Sequence, residues 1–493
     1  MRSLLILVVI GLALCWCARA QSDVPQRPNV LFIAVDDLND WMGCLGGREA
    51  VHTPNLDRLA ARGVLFTNAH CAAPACNPSR VAVMTGVRPS TSGVYHNAQS
   101  WRSTPRLADA VTLPEHFRAG GYTAVGGGKI FHALSWIREG YGKQRNDPDI
   151  WDAYFPSKDR PMPDALWPAE ANVTISENGY VQWNPLASSP SASGGRPPHF
   201  FDFGPLAEPE QKMADYKVVD WAIDELGKDH GKPFFLAVGL FRPHIPWFAP
   251  REYFDLYPLD EVFLPKIREN DLDDCPKASL QNVRRGWHGW LVENDQWRPA
   301  VQGYLACVSF TDAQVGRLVE ALDRSHHAEN TIIVLWSDHG MHIGEKQHWE
   351  KFTLWEESTR VPLMIVVPGV GKGGARCAQP VSLIDIYPTL IDLCGLPERD
   401  DIEGTSLVEQ LRSPSAHREA PAVTTWGRGN HAIRTERWRY IRYSNGEEEL
   451  YDHHSDPDEF DNRIRSDPEG SRPVIKGLAK WLPKVNADQA SAE

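Results

Sequence analysis

The apolar run Asn29-Val30-Leu31-Phe32-Ile33-Ala34-Val35 stops abruptly at Asp36-Asp37, and its shortness decides what it can become. It is too short for an ordinary helix and shows no polar alternation, so it reads as a strand buried on both faces, most naturally in a parallel sheet. Two further stretches look alike: Pro233-Phe234-Phe235-Leu236-Ala237-Val238-Gly239, and Thr331-Ile332-Ile333-Val334-Leu335-Trp336 ending in Ser337-Asp338-His339. Ahead of the last of these, Val308, Val315, Leu318, Val319 and Leu322 recur at three- and four-residue steps, as one face of a helix would. Strands alternating with helices imply an α/β sheet covered on both sides. Ligands of such sheets gather beyond the carboxyl ends of the strands, where the polar clusters of this chain fall.

Residues 1–20 join Arg2, an apolar run from Leu4 to Leu14 and the small-residue pattern Ala18-Arg19-Ala20, which reads as a cleaved secretory signal. That run is shorter than the ~20 apolar residues a membrane span needs, and no later segment looks transmembrane. Removal leaves roughly 470 residues, more than one core usually supports. We therefore expect a main domain over 21–411, interrupted by a Pro-, Gly-, Ser-, Asp- and Trp-rich insertion at 141–212, and a smaller domain over 412–493. In the latter, strand-like pieces such as His431-Ala432-Ile433-Arg434 and Arg437-Trp438-Arg439-Tyr440-Ile441-Arg442, with Asn445-Gly446, point to an antiparallel hairpin.

Export permits disulfides among Cys44, Cys71, Cys275, Cys307, Cys377 and Cys394, without assigning pairs. The formal charge of −13 becomes −15 once Arg2 and Arg19 leave with the signal, which argues against nucleic-acid binding. A polyanionic substrate then requires a locally cationic pocket.

Chemistry concentrates at Cys76-Asn77-Pro78-Ser79-Arg80, followed by Thr85-Gly86. Pro78 suits the first turn of a helix, and the apolar Val81-Ala82-Val83-Met84 continues it. A nucleophile there sits at the positive end of a helix dipole, which favours an anionic ester. Asp36 and Asp37 follow one strand, and Asp338 and His339 another, roughly 300 residues later. Clustered carboxylates repel one another unless a cation lies between them. Such a set suits Ca2+, with Mg2+ the closest rival, although His339 is a ligand commoner on transition metals.

The string C-x-P-S-R-x4-T-G resembles the signature of type I sulfatases, and most of the mature chain looks like their iduronate-2-sulfatase-like branch. The resemblance implies an alkaline-phosphatase-like α/β fold: a large mixed sheet flanked by helices, with a smaller C-terminal α+β domain carrying an antiparallel sheet. It implies that a formylglycine-generating or sulfatase-maturating enzyme oxidises Cys76 to formylglycine, whose hydrate is the nucleophile. The metal ligands it implies are Asp36, Asp37, Cys76, Asp338 and His339, with calcium as the inherited ion.

Three more segments match. Gly128-Lys129-Ile130-Phe131-His132 resembles the element whose lysine and histidine contact sulfate and formylglycine. Arg242-Pro243-His244-Ile245-Pro246 resembles the turn with a second active-site histidine, and His348-Trp349-Glu350-Lys351 the segment with the second sulfate-binding lysine. The implied roles are Arg80 holding the hydrated aldehyde, Lys129 and Lys351 neutralising sulfate oxygens, His244 protonating the leaving hydroxyl, His132 removing a proton during regeneration, and Asp338 as a local base.

Asn97-Ala98-Gln99-Ser100-Trp101-Arg102 also resembles that branch and reads either as a substrate-side segment or as a surface loop with a buried tryptophan. The leading expectation is a secreted or periplasmic sulfatase, lysosomal in an animal host, acting on a sulfated glycan or a fragment of one. The rivals are a formylglycine-dependent phosphonate or phosphodiester hydrolase, a choline-type small-ester sulfatase, and a noncatalytic glycan-binding module.

Overall fold

A computed structural model describes residues 27–46, 51–132, 148–155, 174–175, 181–182, 201–207 and 209–491. The signal at 1–20 and most of the 141–212 insertion lie outside the described residues.

The main sheet comprises β1 (Asn29–Val35), β2 (Val64–Phe66), β3 (Thr123–Gly128), β4 (Ala153–Phe155), β5 (Phe234–Leu240), β6 (Thr331–Ser337), β7 (Leu363–Val366) and β8 (Ala375–Cys377). Their order is β8-β2-β7-β6-β1-β5-β3-β4, and only β7 runs against its neighbours. Every residue of β1, β5 and β6 is buried. Side chains alternate across a strand, so Leu31, Ile33 and Val35 enter one apolar cluster while Val30, Phe32 and Ala34 enter another. From Val30 to Val35 two buried faces leave no position for a polar side chain, which is why that stretch has no alternation.

Helices cover both faces. On the first lie α2 (Ala214–Leu226), contributing Val218, Val219 and Ala222, and α3 (Trp297–Asp323), contributing Val308, Val315, Leu318 and Leu322. On the second lie α1 (Cys76–Thr85), with Val81, Val83 and Met84, and α4 (Ile386–Cys394), with Ile386, Tyr387 and Leu390. Cys44, Cys71, Cys76, Cys275, Cys307, Cys377 and Cys394 all carry free thiols, so none of the permitted disulfides forms among the described residues.

A second sheet is wholly antiparallel: β9 (Ala422–Thr425), β10 (His431–Arg434), β11 (Trp438–Arg442) and β12 (Glu448–Asp452), in that order. Asn445-Gly446 turns β11 into β12, with Gly446 at φ +87°, a conformation open to glycine. This is the large mixed sheet with a C-terminal antiparallel sheet that the resemblance implies.

The two sheets are tied by buried charge. Fully buried Arg439 on β11 pairs with Glu356, reaches Glu459 at 2.5 Å and donates to the Leu354 carbonyl at 3.0 Å. Arg434 meets Glu356 at 3.0 Å, and His453 meets Glu459 at 2.9 Å. Burial alone would raise both carboxyls, but the arginines and His453 outweigh it and hold Glu356 and Glu459 below the usual glutamate range. Their contribution is therefore complete above the unfolded glutamate pKa of about 4.3 and fades as pH falls through the lower folded values. Arg439→Met removes a partner from two buried carboxylates, at an expected cost of ~3–5 kcal/mol. Thermal melts should show a large Tm deficit at pH 7 that narrows in strong acid, where the wild type loses the same contribution.

Candidate active site

Four neighbouring parallel strands, β6, β1, β5 and β3, end at one edge. Register pairs Ser337 with Val35, Val35 with Leu240, and Gly239 with Gly128. The residues that follow are Asp338-His339, Asp36-Asp37, the turn bearing His244, and Lys129, so one strip of sheet edge presents all of them. Local bonds lock the two acidic pairs together. Asp37, at φ 60°, donates its N–H to Asp338 Oδ1 at 3.2 Å, and Leu38 donates to Ser337 Oγ at 3.0 Å. A Cβ on Gly239 would lie 2.3 Å from the Lys129 backbone, so glycine there permits the close crossing that carries Lys129 inward.

Cys76 opens α1, whose ten residues are all buried. The buried helix start is satisfied from the following loop: Asn77 N–H donates to Asn97 Oδ1 at 3.0 Å, and its side-chain amide to the His96 and Gln99 carbonyls at 3.1 and 2.8 Å. Gln99 in turn donates to the Ala490 carbonyl at 2.7 Å, so the tail of the chain braces the start of α1. Trp101 is fully buried and stacks on Phe131 at 5.4 Å, which assigns it to the core rather than the substrate side.

Around Cys76, its Sγ lies 3.2 Å from His339 Nε2 and 3.9 Å from Lys129 Nζ. Ligand-capable atoms of Asp36, Asp37, Cys76 and His339 all lie within 4.8 Å of one another. His339 Nδ1 donates to the Gly340 carbonyl at 3.0 Å, which leaves the Nε2 lone pair turned into this quartet. Lys129 pairs with Asp36, and Lys351 Nζ sits 2.8 Å from both oxygens of Asp37.

Asp338 stands beside the quartet. Its Oδ2 takes Arg80 Nε at 2.7 Å, and its Oδ1 accepts the N–H groups of Asp37 and His339. Arg80 is fully buried. It also bonds Asp36 Oδ1 at 3.1 Å, the Ile130 carbonyl at 3.1 Å and the Lys129 carbonyl, so its fork clamps three strand ends.

His244 Nδ1 donates to the Ile245 carbonyl at 2.5 Å, and its Nε2 lies 3.9 Å from Asp37 Oδ2. His132 is buried on the Lys129 segment, outside the quartet.

Two supports of this site have roles that the sequence does not show. Asp215 on α2 accepts the Phe241 and Arg242 N–H groups, each at 2.8 Å, and so fixes the turn that bears His244. His348 Nδ1 accepts the Arg284 N–H at 3.1 Å, so its Nε2 carries the proton and donates to the Lys351 carbonyl at 2.8 Å. Burial pushes His348 down to about 3, keeping that tautomer neutral.

Burial would raise Asp36 and Asp37, yet the groups facing them, Lys129, His244 and Arg80 for the first and His244, Lys351 and His339 for the second, hold both below the ordinary aspartate range. Burial pushes the Cys76 thiol up, against Lys129 and Lys351. The encoded thiol is thus neutral and a weak nucleophile. Two ionised carboxylates, an oriented imidazole and position 76 form a donor set that fits a divalent cation. The comparable group Glu356, His453 and Glu459 does not, because Arg434 and Arg439 already occupy its carboxylates.

Comparison with known proteins agrees with this geometry. The sulfatase family profile matches residues 28–396, and that of the N-sulphoglucosamine sulphohydrolase C-terminal region matches 344–488. The chain is 37% identical to a sulfatase of Formosa agariphila over 97% of its own length and 92% of the relative's. It is 32% identical to mouse iduronate 2-sulfatase over 75% of this chain and 69% of the relative. Among solved structures, an enzyme in complex with its substrate D-glucosamine-2-N,6-O-disulfate shares the fold with a TM-score of 0.69 and 22% identity, covering 93% of this chain and 97% of the other. With its family profile spanning most of the chain and its strand-end cluster centred on Cys76, the protein belongs to the sulfatase family of sulfuric ester hydrolases.

Proposed function

We propose that this protein hydrolyses a sulfate ester of a sulfated glycan or oligosaccharide, in the manner of an iduronate 2-sulfatase, with Cys76 converted to formylglycine. The observation that carries this reading is the position of Cys76: first residue of a buried helix, neutral as a thiol, and enclosed by two lysines and two carboxylates. Formylglycine supplies a hydrated aldehyde oxygen as nucleophile where the thiol is unfit. Asp36, Asp37, His339 and position 76 would hold the divalent cation, Ca2+ ahead of Mg2+, which supplies Lewis-acid charge, with Asp338 adjoining them.

The remaining steps belong to the chain's own side chains. Lys129 and Lys351, each paired with one aspartate, flank position 76 and are placed to neutralise the sulfate oxygens. Arg80 keeps Asp36 and Asp338 in register. Asp338, beside the quartet, is assigned as a local base, and His132 as the base that completes the cycle.

His244 turns Nε2 toward the cluster and delivers the proton to the departing sugar oxygen, a poor leaving group without one. Burial, reinforced by Lys351 and Lys129 and opposed by Asp37, pushes His244 down to about 3. The negative charge of a bound sulfate ester works against those lysines and favours the protonated ring.

A maturation enzyme is the required partner, and export is the expected route, to a secreted, periplasmic or, in an animal host, lysosomal location. No helix among the described residues is long and apolar enough to cross a membrane. We assign catalysis to residues 21–411 and a supporting role to 412–493.

The test pairs mass spectrometry of the peptide spanning Cys76 with sulfate release from defined sulfated oligosaccharides. The expected result is a peptide in which the side-chain sulfur has been replaced by an aldehyde oxygen, together with turnover of sulfate but not phosphate esters. Turnover by material whose Cys76 is unmodified rejects the mechanism.

A further inference from the structure

Beside the lysine that flanks Cys76, four segments of the chain meet in a half-buried aromatic rim. Phe352 follows Lys351 at φ 78° and donates its N–H to the Pro74 carbonyl at 3.2 Å, two residues before Cys76. The Phe352 ring centre lies 5.9 Å from Lys351 Nζ and 6.0 Å from the Arg284 guanidinium. Trp426, in the turn between β9 and β10, leans on Phe352 at 5.1 Å, and His96 meets Trp426 edge-on at 5.0 Å. None of these rings is fully buried. Partly exposed aromatic faces beside a cationic pocket suit the apolar face of a sugar ring.

Arg284 is held at every point except its fork. Its backbone N–H is fixed by His348, its Nε lies 2.8 Å from Glu350 Oε2, and its guanidinium lies 4.3 Å from the Trp287 ring centre. Its side chain is 32% exposed, and among the described residues no acceptor meets Nη1 or Nη2. Neutralising buried Glu350 uses only the Nε edge, so a purely structural pairing leaves the terminal nitrogens without a purpose. A pre-positioned guanidinium fork matches a carboxylate or sulfate through two parallel hydrogen bonds.

We propose that Arg284, backed by Phe352 and Trp426, is a specificity determinant that binds a second anionic group of the substrate, on the sugar next to the one bearing the scissile sulfate. This rests on the sulfatase reading above. The substrate class is then an oligosaccharide with at least two anionic groups. Lys351 takes the sulfate that leaves, and Arg284 takes a carboxylate or sulfate that stays.

The test uses the full-length protein with Cys76 converted and three disaccharides sharing one scissile sulfate. The first bears a uronate carboxylate on the neighbouring sugar, the second is its carboxyl-reduced form, and the third carries a second sulfate there instead. For wild type, kcat/KM should favour one or both dianionic compounds over the reduced one by about 10–100-fold, and whichever is favoured identifies the anion. Arg284→Gln should collapse that ratio toward unity, mainly through KM, and Arg284→Lys should give an intermediate ratio. Because Arg284→Gln strands Glu350, the double variant R284Q/E350Q is measured alongside and should show the same collapse with wild-type-like melting.

A ratio unmoved in these folded variants, or a wild type that prefers the reduced compound or cleaves only small aryl sulfates, overturns the assignment of Arg284. Failure of converted protein to release sulfate from any ester overturns instead the reading on which it rests.

Discussion

Cys76→Ala should lower sulfate-ester turnover by about 10^4–10^6-fold, the scale seen when a covalent nucleophile is removed, while leaving the protein folded. The reasoning is local. Cys76 is fully buried at the first position of α1, and alanine keeps the helix start while removing one sulfur, an expected stability cost of only ~1 kcal/mol. The Asn97 and Gln99 bonds to Asn77 do not involve the Cys76 side chain and should persist. Binding of a sulfated ligand, followed by calorimetry, should survive in the same variant, since Lys129 and Lys351 remain. Cys76→Ser offers a sharper comparison. A serine oxygen can displace the sugar from sulfur once, but it lacks the second hydroxyl needed to expel sulfate, so at most a single turnover is expected. Multiple turnovers by either variant would sink the formylglycine assignment.

Lys351→Ala carries the second large effect, an expected loss of about 10^2–10^3-fold in kcat/KM for a sulfate ester. Its ammonium lies 2.8 Å from both Asp37 oxygens, held there by the neutral His348 beneath its carbonyl. Despite burial, Asp37 keeps Lys351 raised above the ordinary lysine range, so it stays charged throughout the working pH range. Removing it strands a buried carboxylate and takes away one of the two cations flanking position 76. Steady-state kinetics on one sulfate ester would show the loss. Lys129→Ala should match it through Asp36, and the double variant should lose less than the product of the two, because both cations act on one group. Activity within tenfold of wild type in Lys351→Ala would remove that lysine from sulfate binding.

These predictions draw on residues of unequal legibility. The strand ends were readable because burial on both faces forces an unbroken apolar run, and a parallel sheet gathers polar residues where such runs stop. Asp36, Asp37, Asp338, His339 and the helix opening at Cys76 follow from that pattern. The Asn445-Gly446 turn was equally plain, since few other residues tolerate its geometry. Asp215 was not readable: a single acid in an amphipathic helix looks like any solvated charge until its two backbone partners on the His244 turn are seen. Nor was the pairing of carboxylates with cations, in which Arg80 spans Asp36 and Asp338 while Lys351 takes Asp37.

The sequence alone determined the class of fold and singled out position 76 and the charged groups proposed to act with it, because each depends on short-range pattern: apolar run length, helix-start chemistry and motif spacing. Only the tertiary structure decided which groups touch. Arg80 as a clamp, Trp101 as core, His348 as the prop of Lys351 and Arg284 with an open fork all arise from contacts between segments far apart in the chain. Local preferences set what each segment becomes, but they carry no information about which distant partner satisfies a buried charge or a hydrogen-bonding edge.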